Sequence, residues 1–556
     1  NPAFSHVDVP LASTFVIAQK PGKEAYVKPV THGDSYEFTV RVGTLPPEAA
    51  VGTRLARATF GCVLSQSPIN AEYVRAEAVA GRMGTRLMAI VAEGKGGRIY
   101  LSPTTQMEQV ALVAAPPWKP ELKVTTPCHD IDRLPMYGMF DWSDVFTPRQ
   151  LVAMTTFSEL VAEVRNKLRS EALTAGLPDN EDGLDAGGSG AKAYAEAVSV
   201  YLSFAVDKSA VYWSSLCLWL NQPKNEIVGN TFGRQALQMT WDFAEANPFC
   251  GGGGDFVPQI DYVTKFIEKC VSALGQGCAT QADAQTQRLS SSKVISTDPP
   301  YFDNVGYADL SDFFYIWLRK MLQSVYPALL ATMAVPKADE LIASPYRHGS
   351  KKKAEEFFLN GMTLAIQSMV DQALPEPPVT IYYAFKQSDT ESKGDTSSTG
   401  WEAFLNAVRA AGLQITGTWP MRTERPTALK ASVNALASSI ILVCRKRSTN
   451  ASSISRREFI RELNGVLPEA LDEMTRGSGE ERSPVAPVDL SQAIIGPGMA
   501  VFSKYAAVLE ADGSPMSVRT ALQLINRFLA EDDFDHDTQF CLHWFEQHGW
   551  DQSAFG

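Results

Sequence analysis

The sequence predicts an α/β chain whose second half forms a Rossmann-like, doubly wound sheet, mostly parallel with a terminal antiparallel hairpin. A β-rich N-terminal insert and helical additions complete it. Three observations carry this expectation. From residue 291 apolar strand patterns alternate with helical ones, as βα units require. Before about residue 125 the apolar runs are short and strand-like. Between 126 and 290, and again after 447, apolar residues recur mainly at helical spacing. The expected domains are therefore 1–125, 126–290, 291–447 and 448–556.

Within the first domain, residues 15–17, 36–42 and 98–101 suit short antiparallel strands, and prolines 116, 117 and 120 form a linker. A helical pattern begins at 147, with Leu151, Phe157, Leu160, Val161, Val164 and Leu168 on one face. A Gly/Ser/Asp loop at 179–191 interrupts it. The run 194–220 is aromatic (Tyr201, Phe204, Tyr212, Trp213, Trp219), and at helical spacing such rings are core rather than base-stacking platforms. Residues 237–246 read as helix, with Leu237, Trp241 and Ala244 on one face. From 291, strand 293–297 leads to helices near 309–324 and 353–373, strand 378–385, helix 401–411 and strand 413–418. The basic stretch 422–430, strand 438–444, helix 456–475 and a last helix through Val518, Leu522, Ile525 and Leu529 complete the order.

The most informative segment is 294–301, Val-Ile-Ser-Thr-Asp-Pro-Pro-Tyr. Val294 and Ile295 read as the end of a buried parallel strand. Pro299 and Pro300 then forbid helix and remove two backbone donors. The chain leaves the sheet as a stiff turn, with carbonyls free to accept and the Tyr301 ring beside the Asp298 carboxylate. Asp298 and a backbone carbonyl suit the exocyclic NH2 of a planar ring, and Tyr301 suits its face. A base meeting these groups must first leave its helix. The competing reading is an ordinary strand-end turn with a capping Asp. Asn304, Tyr307 and Asp309 lie near enough in sequence to line a base pocket, or to cap the loop. Lys337, the Tyr346-Arg347-His348-Gly349 turn and Lys386 could contact a phosphate backbone or form rim salt bridges. His348 is not needed as a general base, because positioning and electrostatics carry such a transfer.

The Asp-Pro-Pro-Tyr tetrapeptide resembles the motif of amino-group methyltransferases that use S-adenosylmethionine. The likeness extends through DPPYFDNVGYADLSDFF (298–314), YRHG (346–349), YYAFKQ (382–387), TWPMRTE (418–424) and NALASSIILVC (434–444). Upstream, GRMGTRLMAIVA (81–92), FTPRQLV (146–152) and TFGRQALQMTWDFAEANPF (231–249) also fit. On these segments the chain resembles the large adenine-specific DNA methylases that carry a zinc-ribbon insert and an N-terminal domain of unknown function. The resemblance implies a methyltransferase sheet and transfer of methyl from S-adenosylmethionine to the N6 amine of a flipped adenine in DNA. It assigns Asp298, Pro299, Pro300 and Tyr301 to catalysis and Thr297 with Asp298 to the cofactor's methionine end. Asn304, Tyr307 and Arg347 fall to the substrate. It also implies a restriction or phage-defence setting.

The chain departs from that family at two points. The opening residues hold no cofactor-binding glycine loop; the chain resembles the family's C-terminal portion, and a second polypeptide could supply the missing segment. The zinc ribbon is degraded: Phe4 stands where a ligand Cys is expected, Ser65 sits at the CxxC spacing from Cys62, and His6 adds too little, so no metal is expected. One internal glycine run, Asn247-Pro248-Phe249-Cys250-Gly251-Gly252-Gly253-Gly254, mimics a cofactor loop, but comes after an expected helix rather than a strand. Two other classes stay open: a non-catalytic DNA-binding or assembly subunit with this fold, and an amino-methyltransferase acting on RNA or another amine.

Composition bounds these readings. The 556 residues, 45% hydrophobic and 20% charged, suffice for two to four domains. No apolar run could span a bilayer, no signal peptide is visible, and eight Cys without a CxxC pair read as reduced thiols of a cytoplasmic protein. The net charge of −12 divides unevenly: residues 290–457 hold 19 Lys and Arg against 15 Asp and Glu, a balance of +4, leaving −16 elsewhere. The basic clusters Lys351–Lys353, Arg422, Arg425, Lys430 and Arg445–Arg447 could meet phosphates, or simply form solvated faces. The acidic remainder argues against a tight non-specific nucleic-acid coat.

Overall fold

The computed structural model describes all residues except 1–3, 5, 125–132, 234, 271–276, 303–304, 384–398, 423–437, 476–492 and 533–556. It is a mixed α/β chain with several small, open sheets. It divides into two compact units: Asn1–Ala279 with Gly306–Lys337, and Thr280–Val305 with Ala338–Gly556. No described helix is long and apolar enough to cross a membrane.

In the first unit, Val16–Ala18, Ala25–His32 and Ser35–Val42 form an antiparallel meander. Tyr36 and Phe38 alternate inward and close a core with Phe15, Ile17 and Val27. The expected strand at 98–101 is the second half of the Ile90–Gly94/Gly97–Leu101 hairpin. Helix Pro148–Thr174 opens on a capping box in which Thr147 and Gln150 satisfy each other's backbone N–H groups. Its partner helix, Ala191–Ala210, ends before the aromatic run does. The remainder of that run enters a hairpin, Trp219–Gln222/Asn225–Val228, which the helical reading missed. Trp213 is fully buried as core, whereas Phe204 is exposed.

The expected helix at 237–246 does not form. That segment is irregular, with Phe243 bridging Leu218 and the Ala244 N–H donating to the Cys217 carbonyl. Trp241, half-buried, packs edge-on against Phe60 and Tyr137, contacts from outside the segment that a local helical spacing does not encode.

The second unit holds the main sheet, in the order Ser296–Thr297, Val379–Tyr383, Ser438–Lys446, Leu413–Arg422. The first pair is parallel and the other two are antiparallel. Among the described strands the expected parallel order is found in one pairing only. Strand Ser438–Lys446 runs against both neighbours and lies between them, so it makes two of the three pairings, one of them the antiparallel hairpin with Leu413–Arg422. Val294 is also corrected: at 65% exposure it faces outward, and only Ile295 joins the core.

Helices Lys351–Gln372, Thr399–Ala410 and Arg456–Thr475 supply the other core faces. Phe358, Met362, Ala365 and Ile366 lie on the first, Phe404, Leu405 and Val408 on the second, and Phe459, Leu463 and Leu467 on the third. Helix Ile495–Ser503 approaches its neighbours through two glycines. A Cβ on Gly496 would strike Thr418, and one on Gly498 would lie 2.5 Å from Ile525.

Phe404 is fully buried, so Phe404→Ala should lower stability by roughly 3–5 kcal/mol. Val294→Ala should change it by less than about 0.5 kcal/mol. Urea unfolding of the two variants checks both, and a large loss at position 294 would contradict the outward-facing strand end.

Candidate active site

The Asp298 turn is built by strand pairing before it and by a tyrosine after it. Ser296 and Thr297 pair in register with Thr380 and Ile381, the Thr380 N–H donates to the Ile295 carbonyl (3.1 Å), and Thr380 Oγ1 donates to Ser296 Oγ (2.8 Å). Immediately beyond the turn, the Phe302 N–H donates to the Tyr383 hydroxyl at 3.2 Å. Tyr383 is fully buried and stacks on Phe404, with centroids 3.9 Å apart and planes within 9°. Tyr301 meets Tyr383 edge-on at 5.1 Å. The chain therefore enters and leaves the prolines at fixed points.

Between those points the Asp298 carboxyl is exposed, with the Tyr301 hydroxyl hydrogen-bonded to it. Partial withdrawal from water raises its pKa above the usual carboxylate range, and the Tyr301 bond opposes that shift. The arrangement is an acceptor with an open side, next to a half-buried ring.

A second segment lines up with the turn. The Ala343 N–H donates to the Phe302 carbonyl at 2.6 Å, which brings Ser344 and the short helix Pro345–His348 into the same unit's core region. Arg347 there donates to Glu340 at 2.7 Å, and both side chains are largely buried. The His348 ring stacks on Phe357 at 4.2 Å, and its Nε2 is shut off from water without a partner. Burial, and then the Arg347 charge, lower the His348 pKa.

The structure thus brings together Thr297, Asp298, Pro299, Pro300 and Tyr301 and engages Arg347 with Glu340. Asn304 and Lys386 lie outside the described residues. Tyr307 is exposed and opens helix Tyr307–Leu322, which belongs to the first unit with Asp309 and Lys337. Lys337 pairs with the buried Asp312 at 2.7 Å. Burial pushes the Asp312 pKa up, against the pull of that ammonium. Tyr383, Glu340 and Ser344 were missed by the sequence reading. Only the inward alternation of Val379, Ile381 and Tyr383 could have singled out the first.

The other candidate features are engaged locally. In the glycine run 251–254, Asp255 caps helix Phe256–Lys269: its carboxylate accepts from Gly251 N–H (2.7 Å) and Val257 N–H (2.8 Å). The loop opens a helix, but an internal carboxylate occupies the place where an anionic ligand would sit. Lys351 and Lys352 face Glu355 and Glu356 one turn on. Cys62 is buried and accepts from the Ser65 N–H, while His6 meets Asp34. Among the described residues no group of three or more His, Cys, Asp or Glu side chains could hold a metal ion.

No family model, curated protein or solved structure matches the chain.

Removing the carboxylate of a largely buried pair costs stability, so Glu340→Gln should destabilise by up to about 3 kcal/mol, whereas Glu340→Leu combined with Arg347→Met should recover part of it. Urea midpoints of the single and double variants decide this. His348 supplies a pH test. Its folded pKa lies below the ordinary 6.5, so protonation favours the unfolded chain. Stability should be unaffected above about pH 6.5 and should fall as the pH drops below it, until the folded ring also protonates. His348→Phe, which retains a ring against Phe357, should flatten that decline between pH 7.5 and 5.5.

Proposed function

We propose that this chain orients an exocyclic amine for methylation by S-adenosylmethionine, and specifically the N6 amine of an adenine swung out of duplex DNA. The observation that carries the reading is the Asp298–Tyr301 turn at the carboxyl end of a sheet strand, where ligands of open α/β sheets bind. The likeness to the large adenine-specific DNA methylases supplies the adenine, the DNA and the restriction or phage-defence setting in the cytoplasm. The sheet order supports the Rossmann-like reading. Strands Ser296–Thr297, Val379–Tyr383 and Leu413–Arg422 run one way and Ser438–Lys446 runs back between the last two, as in the second half of a methyltransferase sheet with an antiparallel hairpin.

Asp298, ionised, accepts one N–H of the amine, and a carbonyl of the Pro-Pro turn accepts the other. The nitrogen lone pair is thereby aimed away from the acceptors and toward the incoming methyl group. Tyr301 is the ring placed to stack on the base, and it packs edge-to-face with Tyr383. The cofactor supplies the electrophilic methyl, and Thr297 and Asp298 are the residues placed for its methionine end. The glycine run 251–254 does not fit as its cradle, because Asp255 fills it. A loop of that kind, carried on a further segment of this protein or on a second polypeptide, is accordingly part of the proposal. The same observation favours one alternative: a DNA-binding or assembly subunit with a methyltransferase fold and no cofactor of its own.

Transfer of labelled methyl from S-adenosylmethionine to adenine-containing duplex DNA tests the reading, with calorimetry for cofactor binding alongside. Asp298→Ala should lower transfer roughly a hundredfold or more. Transfer by the parent chain should rise with pH through a limb above the usual Asp range, because the carboxylate must be ionised and its pKa is raised. Wild-type transfer by the alanine variant would end the proposal. DNA binding with neither transfer nor cofactor binding would select the subunit reading, and transfer to RNA alone would move the substrate.

A further inference from the structure

A pair of arginines in the second unit is unused by the amine site. Arg409 lies in the last turn of helix Thr399–Ala410, and Arg447 comes directly after strand Ser438–Lys446. Strand register fixes their place. Val379 lies opposite Cys444 and Tyr383 opposite Ile440, while Val379–Tyr383 runs parallel to the Asp298 strand. Arg447 is therefore at the sheet edge where those two strands begin, and Asp298 is at the edge where they end.

Among the described residues the two guanidiniums touch only neutral groups. Arg447 donates through Nη2 to the Arg409 carbonyl (3.3 Å), and Arg409 donates through Nη2 to the Ala506 carbonyl (3.0 Å). The Arg409 guanidinium lies 5.5 Å from the centroid of the Phe502 ring. Neither arginine forms an ion pair among the described residues, although both are half-buried. Arg409 Nε and Arg447 Nη1 are withdrawn from water with no acceptor among the described residues. Burial, and next the Arg447 charge, lower the Arg409 pKa, as two like charges held close require. The helix C-terminus beside them contributes only about half an elementary charge. Arg445 and Lys446, both exposed, add positive charge at the same edge.

What would relieve both the repulsion and the unmet donors is an oxyanion carrying up to two charges and several acceptor lone pairs. A single carboxylate would neutralise only half of the pair. The planar fork of guanidinium matches phosphate oxygens two at a time. We propose that Arg409 and Arg447 form a phosphate-binding site at the edge of the sheet remote from Asp298, taking a phosphate group that is either free or carried on a nucleic-acid backbone. This assignment does not depend on the methyltransfer reading.

The test titrates the chain with inorganic phosphate at constant ionic strength, with chloride as the reference, by calorimetry and thermal unfolding. Saturable binding and a raised melting temperature are expected. Arg447→Gln and Arg409→Gln should weaken binding roughly tenfold or more, and Asp298→Ala should leave it unchanged. Arg447→Lys, which keeps the charge and loses the fork, should fall between and serves if a glutamine variant does not fold. Competition by short duplex DNA would assign the phosphate to a nucleic-acid backbone, and none would assign it to a free ligand. Phosphate no better than chloride, or binding unchanged in Arg447→Gln and Arg447→Lys, would overturn the site.

Discussion

The geometry around Asp298 depends on one hydroxyl. Tyr383 sits on a central strand with its ring fully buried, and a phenol in such a place must find a hydrogen-bond partner. It finds the Phe302 backbone N–H, immediately after the two prolines. That bond fixes the exit of the turn, as the parallel pairing of Ser296 and Thr297 fixes its entry. With two prolines between them the backbone has little freedom left. The near-parallel stack on Phe404 holds the Tyr383 ring plane, and Tyr301 packs against its edge. The rigidity of an exposed carboxylate is thus inherited from a core aromatic pair.

The same region separates groups that hold shape from groups that face outward. Arg347 and Glu340 neutralise each other where water is scarce, and the Phe302–Ala343 bond ties their segment to the turn. Burial and then its arginine neighbour lower the His348 pKa, and the ring is stacked rather than presented. Asp298 is the acidic group of the turn that stays open, and its raised pKa reflects partial loss of water offset by one hydroxyl. A carboxylate in that state accepts a hydrogen bond from an incoming donor with less water to displace than a fully hydrated one.

Legibility in the sequence tracks the range of the interactions involved. Helix 456–475 was legible because Phe459, Leu463 and Leu467 repeat at its period and reach one core. Asp298 and Tyr301 were legible because the proline turn that joins them is local. Residues 237–246 carry a similar apolar spacing and still form no helix; Trp241 packs against Phe60 and Tyr137, contacts from outside the segment that a local spacing does not encode. Tyr383 lies 81 residues from the backbone group it holds, and no local pattern encodes that pairing. Strand order was hidden for the same reason. The pattern of residues 438–444 announces a strand but not that it runs back between two others.

The chain treats two places suited to an anion in opposite ways. At helix Phe256–Lys269 the free N–H groups are met by Asp255, a residue of the loop itself, so the site is complete without a ligand and glycine there serves geometry alone. At Arg409 and Arg447 the donors are stronger, the charges are whole rather than partial, and among the described residues only two backbone carbonyls answer them. Half-burying two guanidiniums without a carboxylate costs more than leaving a helix end uncapped, because each lost acceptor is lost to a full charge. A fold that places a carboxylate at the weaker site and none at the stronger one leaves the stronger site to be balanced from outside.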